Sequence, residues 1–500
     1  MIEEPEIVGK ELYNYQRKAI DEIFRNINAN EGKDYSLLYQ LPTGGGKTVI
    51  FSEIARRFTL EKNRKVLILT HRIELSKQTS EMLFEFGVKN MVITSEVKVL
   101  PKDHDYQCFV AMIETLNNRI SEEAIKMEDI GLVIVDEAHY NSFTKIFKYF
   151  RNRVMLGVTA TPLSSNIKMP MYSNYDDLIV GESIPMLIHE GFLAKAVFHI
   201  YNVGLGSLKI GANGDYTVSS SERLYADSTM QIKLLRAYSE VAVGTKTLIF
   251  NNGILTSRQV YTNFKEAGYD IRHLDNTNTG KERKDILDWF HSKPDAILTS
   301  VGILTTGFDE PGIETIILNR ATRSLTLYFQ MIGRGSRIFG PKKEFNVIDL
   351  GNNLARFGQW DGEIDWYRIF KFPEYYLQNM VTDDQIEQAF RYVMPESLRE
   401  KFNKSPDLSF DVEENYNIAV KQSKNPIEVI GQSVMHHAGM CIENSENLLE
   451  ALHLSRELEF DIADRIKRYT NCIAKSTINY KRWLIEDYTA RLRKEIMKAY

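Results

Sequence analysis

Gln40-Leu41-Pro42-Thr43-Gly44-Gly45-Gly46-Lys47-Thr48 stands between an apolar run, Tyr35–Tyr39, and an amphipathic stretch, Thr48–Leu60. A buried-type strand that enters a glycine-rich turn and then opens a helix makes an anion cradle. Successive glycines let backbone N–H groups curl around phosphate oxygens without Cβ clashes. The helix that follows turns its positive end toward the same anion. In that frame Thr43, Gly44, Gly45 and Gly46 line the phosphates, Lys47 places a point charge on the β- and γ-phosphates, and Thr48 offers a hydroxyl to Mg²⁺. The general phosphate-loop pattern asks for glycine at position 41, where this chain has leucine.

Outward from the loop, short Val/Ile/Leu-rich runs recur at Val66–Thr70, Met91–Thr94, Cys108–Met112, Leu132–Val135 and Met155–Thr159. They do not alternate with polar residues, which is how strands buried on both faces read. Thr48–Leu60 and Ile73–Phe86 carry apolar residues at helical spacing, giving a βαβ rhythm. The rhythm repeats at Val197–Tyr201, Thr247–Phe250, Ile271–Leu274, Ala296–Ser300, Thr315–Leu318 and Asn346–Leu350, with a join near Ile184–Lys195. The expected fold is therefore α/β: two tandem domains of parallel sheet with helices on both faces, residues 1–190 and 191–358. A mainly helical accessory region over 359–500 follows, because the strand rhythm stops there. Gly204–Asp215 reads as a loop or hairpin within the second domain, and Leu448–Glu459 and Asp461–Tyr500 read as helices. The last 40 residues hold ten basic and five acidic side chains, either a solvated helix face or a basic surface for a phosphate backbone. The aromatic stretch Trp360–Tyr376 reads as packing between domains, with base stacking as the alternative.

Asp136-Glu137-Ala138-His139 follows the apolar run Gly131–Val135. An acidic pair at the C-terminal end of a buried parallel strand lies beside the phosphate loop in such sheets. Asp136 is placed to hold Mg²⁺ and Glu137 to orient and deprotonate an attacking water. In Gln330-Met331-Ile332-Gly333-Arg334-Gly335-Ser336-Arg337 two arginines stand three apart. Their planar forks suit bidentate contact with phosphate oxygens. If the second domain faces the first, Arg334 and Arg337 reach the nucleotide across the cleft.

The 500 residues carry a net charge of −5, which excludes a uniformly basic nucleic-acid coat but not a local basic groove. Three cysteines, Cys108, Cys441 and Cys472, make neither a disulfide scaffold nor a zinc ribbon. His436-His437 with Cys441 lacks an evident fourth ligand, so no zinc is expected. Pro406-Asp407 is not followed by the acidic and lysine residues a nuclease needs. Without an apolar leader or a run of about 18 apolar residues, the expectation is a cytoplasmic protein with no membrane segment.

These residues resemble superfamily 2 helicases and translocases, which have two RecA-like domains. The likeness runs over roughly residues 8–355. Leu12-Tyr13-Asn14-Tyr15-Gln16 resembles the adenine-reading glutamine motif, with Gln16 as reader. Leu69–Leu75 (LTHRIEL), Glu114-Thr115-Leu116, Thr159-Ala160-Thr161-Pro162, Phe250-Asn251-Asn252 and Thr305–Pro311 (TTGFDEP) fall in the order of the further motifs. The H-R-x-E-L form within Leu69–Leu75 and the T-x-G-F-D-x-P form of Thr305–Pro311, with the T-A-T-P and Q-M-x-G-R-G-x-R spellings, resemble the RadD, XPB and restriction-motor branch. Asp136–His139 matches its DEAH box. RadD proteins carry a zinc module that this chain lacks.

The resemblance implies an ATP- and Mg²⁺-dependent helicase or translocase, acting on DNA rather than RNA, in repair, recombination or DNA processing. It implies that Arg72, Thr115 and Thr305 contact the nucleic-acid backbone and that Thr306 and Gly307 border both that tract and the nucleotide. Thr159 and Thr161 would couple the nucleotide state to domain movement. His139 would bond toward Gln330 or toward the Thr159–Thr161 motif, and Asp309 would touch the ribose or the arginines. An RNA helicase, or an ATPase switch or motor subunit of a restriction or defence complex that uses the C-terminal region as a protein platform, are the alternatives.

Overall fold

A computed structural model describes residues 11–500 apart from 98–104, 122–129, 141–148, 150–152, 165–167, 306, 390–392, 423 and 474–477. The first sheet has seven strands: β1 (Tyr35–Gln40), β2 (Lys65–Thr70), β3 (Asn90–Ile93), β4 (Cys108–Met112), β5 (Ile130–Asp136), β6 (Val154–Thr159) and β7 (Asp177–Val180). Their order is β3-β4-β2-β5-β6-β1-β7, and every pairing is parallel. Strand residues divide by alternation. Leu37, Tyr39, Ile68, Val110, Ile134 and Val158 enter one apolar cluster with the helices Asn14–Ala29 and Lys47–Lys62. Leu38, Leu67, Leu69, Phe109, Val133 and Val135 enter another on the opposite face. Both faces are covered, so the strands carry no polar alternation; each buried Leu or Ile contributes about 1.5–3 kcal/mol.

The second sheet has six strands, β8 (Lys195–Ile200), β9 (Thr247–Asn251), β10 (Ile271–Leu274), β11 (Ile297–Val301), β12 (Thr315–Asn319) and β13 (Glu344–Asp349), in the order β10-β11-β9-β12-β13-β8, again all parallel. The parallel α/β architecture agrees with the sequence reading in both halves. The strand it did not anticipate is β7, four residues at a sheet edge with only Ile179 buried.

The two sheets and residues 208–381 form one compact unit, and residues 204–207 with 382–500 form another. Residues just past 358 pack on the sheets: Trp360 and Ile369 join the core of the second and Phe370 that of the first. The aromatic stretch is therefore largely a packing element, although Tyr367, Phe372 and Tyr375 are exposed. The segment 204–215 splits between the units, and Ile210 and Tyr216 form an antiparallel bridge, so it turns back on itself as a hairpin.

The other unit is helical, with its longest helices at Glu428–Glu443, Glu459–Cys472 and Ile478–Ala499. His437 is buried there between Asp461 (Nε2 to Oδ2, 3.0 Å) and the Tyr488 hydroxyl (2.9 Å from Nδ1). No helix among the described residues is long and apolar enough to cross a membrane.

Candidate active site

The phosphate loop leaves β1 at Gln40, and the helix Lys47–Lys62 starts directly after Gly46. Gly44 (φ +87°) and Gly46 (φ +84°) adopt the left-handed conformation that glycine permits without a Cβ penalty. A Cβ on Gly46 would stand 2.6 Å from Gln16 Nε2, so the start of the helix Asn14–Ala29 leans directly on the loop. Gln16 Oε1 accepts the Tyr13 N–H at 2.9 Å, and the Tyr15 hydroxyl donates to the Gly45 carbonyl at 2.8 Å. The Lys47 ammonium turns back to the carbonyls of Leu41 (3.2 Å) and Pro42 (3.3 Å). Burial lowers its pKa, against the pull of Glu137 and Asp136.

Asp136 ends β5, and its Oδ1 accepts the Glu137 N–H at 2.9 Å. Burial, reinforced by the Glu137 charge, pushes the Asp136 carboxyl up to about 7. Glu137 itself sits at φ +49°, a left-handed conformation in a residue with a Cβ. Burial alone would raise its pKa, but the charges of Lys47 and Arg334 hold it below the ordinary value. Its Oε2 is buried without a hydrogen bond, 3.4 Å from His139 Nδ1. A deprotonated carboxylate with an uncommitted oxygen is suited to accept a proton from water.

His139 links this carboxylate to two further segments. Thr159 Oγ1 donates to the Thr161 carbonyl (3.0 Å) and accepts the Thr161 N–H (3.2 Å). It stands 3.0 Å from His139 Nδ1, so Nδ1–H is the donor in that pair. His139 Nε2 is then free to accept from Gln330 Nε2 at 3.3 Å. Burial lowers the His139 pKa to about 4, which keeps the ring neutral as this tautomer requires. Both partners expected for His139 are thus present together.

Gln330 lies on the helix Leu325–Ile332 of the second sheet's domain, so the His139 bond crosses between the two domains. Other bonds cross beside it. Thr161 Oγ1 donates to Thr326 Oγ1 at 2.9 Å. Arg72 Nη1 donates to the Ile303 carbonyl at 2.5 Å, and Gln78 Nε2 to the Gly307 carbonyl at 3.5 Å. Gly333 packs so closely on the loop that a Cβ there would stand 2.6 Å from the Thr43 Cβ.

Arg334 donates to the Thr305 carbonyl from Nε (3.1 Å) and Nη2 (2.6 Å), and to the Phe308 carbonyl from Nη1 (2.6 Å). Burial and the neighbouring Arg337 draw its pKa down to about 10. Arg337 forms an ion pair with Asp309, one of the two contacts expected of that aspartate. A cavity of about 490 Å³ gathers Thr43, Gly44, Gly46, Lys47, Thr48, Asp136, Glu137, Gly307, Asp309, Arg334 and Arg337, from both domains. An uncommitted buried carboxylate oxygen, a left-handed glycine cradle and clustered cations fit a magnesium nucleotide.

The expected strand-contacting residues are less uniformly placed. Arg72 is engaged with the second domain, and Thr305 is buried with its hydroxyl donating to the Gly302 carbonyl at 2.7 Å. Thr115 lies in the first turn of the helix Ile113–Ser121, half-buried. Thr306 lies outside the described residues, and Gly307 (φ +71°) faces Leu75.

A second cavity, of about 520 Å³, adjoins the loop and is walled by Tyr13, Tyr15 and Phe192 with Arg17 and Glu182 at its edge. The Phe192 ring centroid is 4.2 Å from that of Tyr13 and 5.3 Å from that of Tyr15. Gln16 does not line it: its Oε1 accepts the Tyr13 N–H, and its Nε2 lies against Gly46 and donates to the Tyr15 hydroxyl at 3.5 Å. Phe192 escaped the sequence reading because it lies some 180 residues from the tyrosines. The phenylalanine at a domain join, next to the glutamine motif's aromatics, was the available signal.

Residues 9–164 match the family described as type III restriction enzyme, res subunit, and residues 230–339 the family described as helicase conserved C-terminal domain. A 51.5 kDa protein of a Lactococcus phage is 28% identical over 338 residues, covering 67% of this chain and 70% of its own. A Saccharomyces cerevisiae protein named as an ATP-dependent helicase is 28% identical over 366 residues, covering 68% of this chain and 51% of its own. The chain thus spans about half the length of the yeast relative. Among solved structures, a fragment named as an HsdR subunit of a type I restriction enzyme from Vibrio vulnificus shares the fold. Its TM-score is 0.54 at 21% identity, covering 70% of this chain and 67% of that one.

Proposed function

We propose that the chain, in which residues 9–164 and 230–339 match the restriction-enzyme res-subunit and helicase C-terminal families, is a superfamily 2 motor of the restriction-motor branch: a DEAH-type, Mg²⁺-dependent ATPase that steps along DNA. The observation that carries the reading is the cavity in which the loop, the acidic pair and the two arginines of the second domain meet. Gly44, Gly45, Gly46, Lys47 and Thr43 hold the phosphates, and Thr48 and Asp136 hold the metal. When bound, Mg²⁺ neutralises charge on the phosphate oxygens. Glu137 takes the proton of the attacking water at its free Oε2. Arg334 and Arg337 supply positive charge from across the cleft, and Asp309 orients Arg337 through their ion pair. Gln16 and Tyr15 brace the loop against the base side.

His139, Thr159, Thr161 and Gln330 transmit the state of the site between domains, because the His139–Gln330 and Thr161–Thr326 bonds cross from one domain to the other. Arg72, Thr115, Thr305, Thr306 and Gly307 form the tract for the strand. Arg72 would exchange the Ile303 carbonyl for a phosphate when the strand arrives. DNA is favoured over RNA by the restriction-enzyme names among the relatives. We place the motor domains at 1–190 and 191–358, with residues 359–381 packed on their sheets and 382–500 as accessory region and platform for a protein partner.

The test is the steady-state ATPase rate without nucleic acid and with single-stranded, duplex and forked DNA and single-stranded RNA, at fixed salt. Stimulation by DNA that Lys47→Ala and Glu137→Gln abolish is the expected result. Stimulation by RNA alone overturns the substrate, and hydrolysis that no nucleic acid accelerates overturns the motor.

A further inference from the structure

The helix Ile478–Ala499 divides sharply by face. Leu484, Tyr488, Leu492 and Ile496, spaced by four, are buried in the core of the helical unit. The opposite face exposes Arg482, Trp483, Arg493, Lys494 and Met497. At 3.6 residues per turn these five side chains fall within an arc of about 120° and extend along about 22 Å of the axis. Glu486 is the acidic residue exposed among them.

Two further cations of the helix are neutralised locally. Arg491 pairs with Asp487 at 3.4 Å and Lys498 with Glu495 at 2.7 Å. Arg482, Arg493 and Lys494 have no ion pair among the described residues. In a chain of net charge −5 this is a segregated patch of positive charge. Within it Trp483 leaves 53% of its surface exposed. The Tyr480 ring runs nearly parallel to the indole (centroids 5.8 Å apart, planes 20° apart), which restrains its orientation while the outer face stays open.

We propose that this face is a docking platform for single-stranded nucleic acid, separate from the motor site: a base stacks on Trp483, and Arg482, Arg493 and Lys494 meet phosphates. Unpaired cations supply the sequence-independent attraction to a phosphate backbone. An open indole among them supplies a stacking surface that every base fits. A paired duplex hides its base faces, so the exposed aromatic selects a single strand. The inference rests on the nucleic-acid part of the reading above and assigns a second contact outside its motifs.

The experiment uses the full chain without nucleotide and a fluorescent oligonucleotide of about 15 nucleotides, with anisotropy followed over a salt series. A variant carrying Arg482→Glu, Arg493→Glu and Lys494→Glu is expected to bind more than tenfold more weakly, with the slope of log affinity against log salt reduced by about 2. Trp483→Ala loses about tenfold and Trp483→Phe recovers most of it. Thermal melts and basal ATPase rates of these variants should match the parent chain. Unchanged affinity and salt slope overturn the proposal, as does charge reversal that abolishes binding to anionic lipid vesicles while leaving oligonucleotide binding intact. Lys47→Ala separates the two readings: it disables the motor site, yet its oligonucleotide binding must still depend on this face.

Discussion

The guanidinium of Arg72, on the turn after β2, rests on the carbonyl of Ile303, on the turn after β11, at 2.5 Å. A residue expected on the nucleic-acid tract is thereby a bond between the two domains. The contact belongs to a closed cleft, and a strand phosphate offers the same fork a stronger, charged acceptor. Arg72→Ala should therefore lower nucleic-acid-stimulated ATPase by about tenfold, the loss of roughly one charge-assisted hydrogen bond, and leave the basal rate within about threefold. Titrating the strand at saturating ATP measures both; a basal rate that falls as far as the stimulated one would make Arg72 a purely structural bond.

Gln330 Nε2 stands 3.3 Å from His139 Nε2 and reaches toward the acidic pair through that ring. Gln330→Ala removes the donor without touching Glu137 or Lys47. We expect basal hydrolysis to persist and its acceleration by the strand to be lost. If the variant is accelerated as fully as the parent, the His139–Gln330 bond does not carry the signal.

Gly333→Ala inserts a Cβ where Thr43 already stands, at 2.6 Å. The loop and the arginine segment must separate by several tenths of an ångström, which carries Arg334 and Arg337 away from the phosphates. Since such displacements cost about 10²-fold in rate, we expect a large fall in turnover with a modest change in melting temperature. Wild-type turnover would show that the two segments separate freely.

The Asp136 carboxyl, raised to about 7, binds its proton more tightly folded than unfolded. Its contribution to stability is complete below the ordinary carboxylate range and is lost as pH rises through about 7. The same proton competes with a metal, so Mg²⁺-nucleotide affinity should climb between pH 6 and 8 and release a proton on binding. Isothermal titration in buffers of different ionisation enthalpy detects that proton. Asp136→Asn should bind without releasing it.

His437 presents the opposite sign. Burial lowers its pKa to about 4, so the unfolded chain binds the extra proton first. The stability it contributes is present above about 6.5 and drains away as pH falls toward 4. His437→Ala leaves the Tyr488 hydroxyl and Asp461 each short of a partner, costing about 1–3 kcal/mol. Melting curves of the helical unit's circular dichroism from pH 7 to pH 4 should show the parent losing stability and the variant losing less.

The sheets were legible because buried parallel strands announce themselves as unbroken apolar runs, as at Cys108–Met112, which is matched to the residue. β7 was not, since an edge strand with one buried side chain carries no such run. Local chemistry was legible for the same reason that the loop and the acidic pair are local: each is a few consecutive residues with a fixed backbone task. What escaped were the meetings of distant segments, Phe192 on Tyr13, Arg72 on Ile303 and Thr161 on Thr326. No spacing in the chain encodes them, because they depend on how two separately folded sheets face each other. The residues past Trp360 read as a new region by composition, yet their first apolar side chains fill gaps in the sheets already formed.

Glu137 is one of three residues other than glycine held at positive φ among those described, and it alone of them lies in the cavity. A glycine there would relax a backbone that glutamate strains by about 1 kcal/mol or more. The position therefore works against the rest of the architecture, which settles into low-energy conformations nearly everywhere else. In the proposed mechanism this carboxylate accepts the proton of water, so the strained position trades stability for reactivity. Any programme of stabilising substitutions that ranks positions by conformational strain would place Glu137 near the top, and following that ranking would yield a sturdier protein unable to turn over.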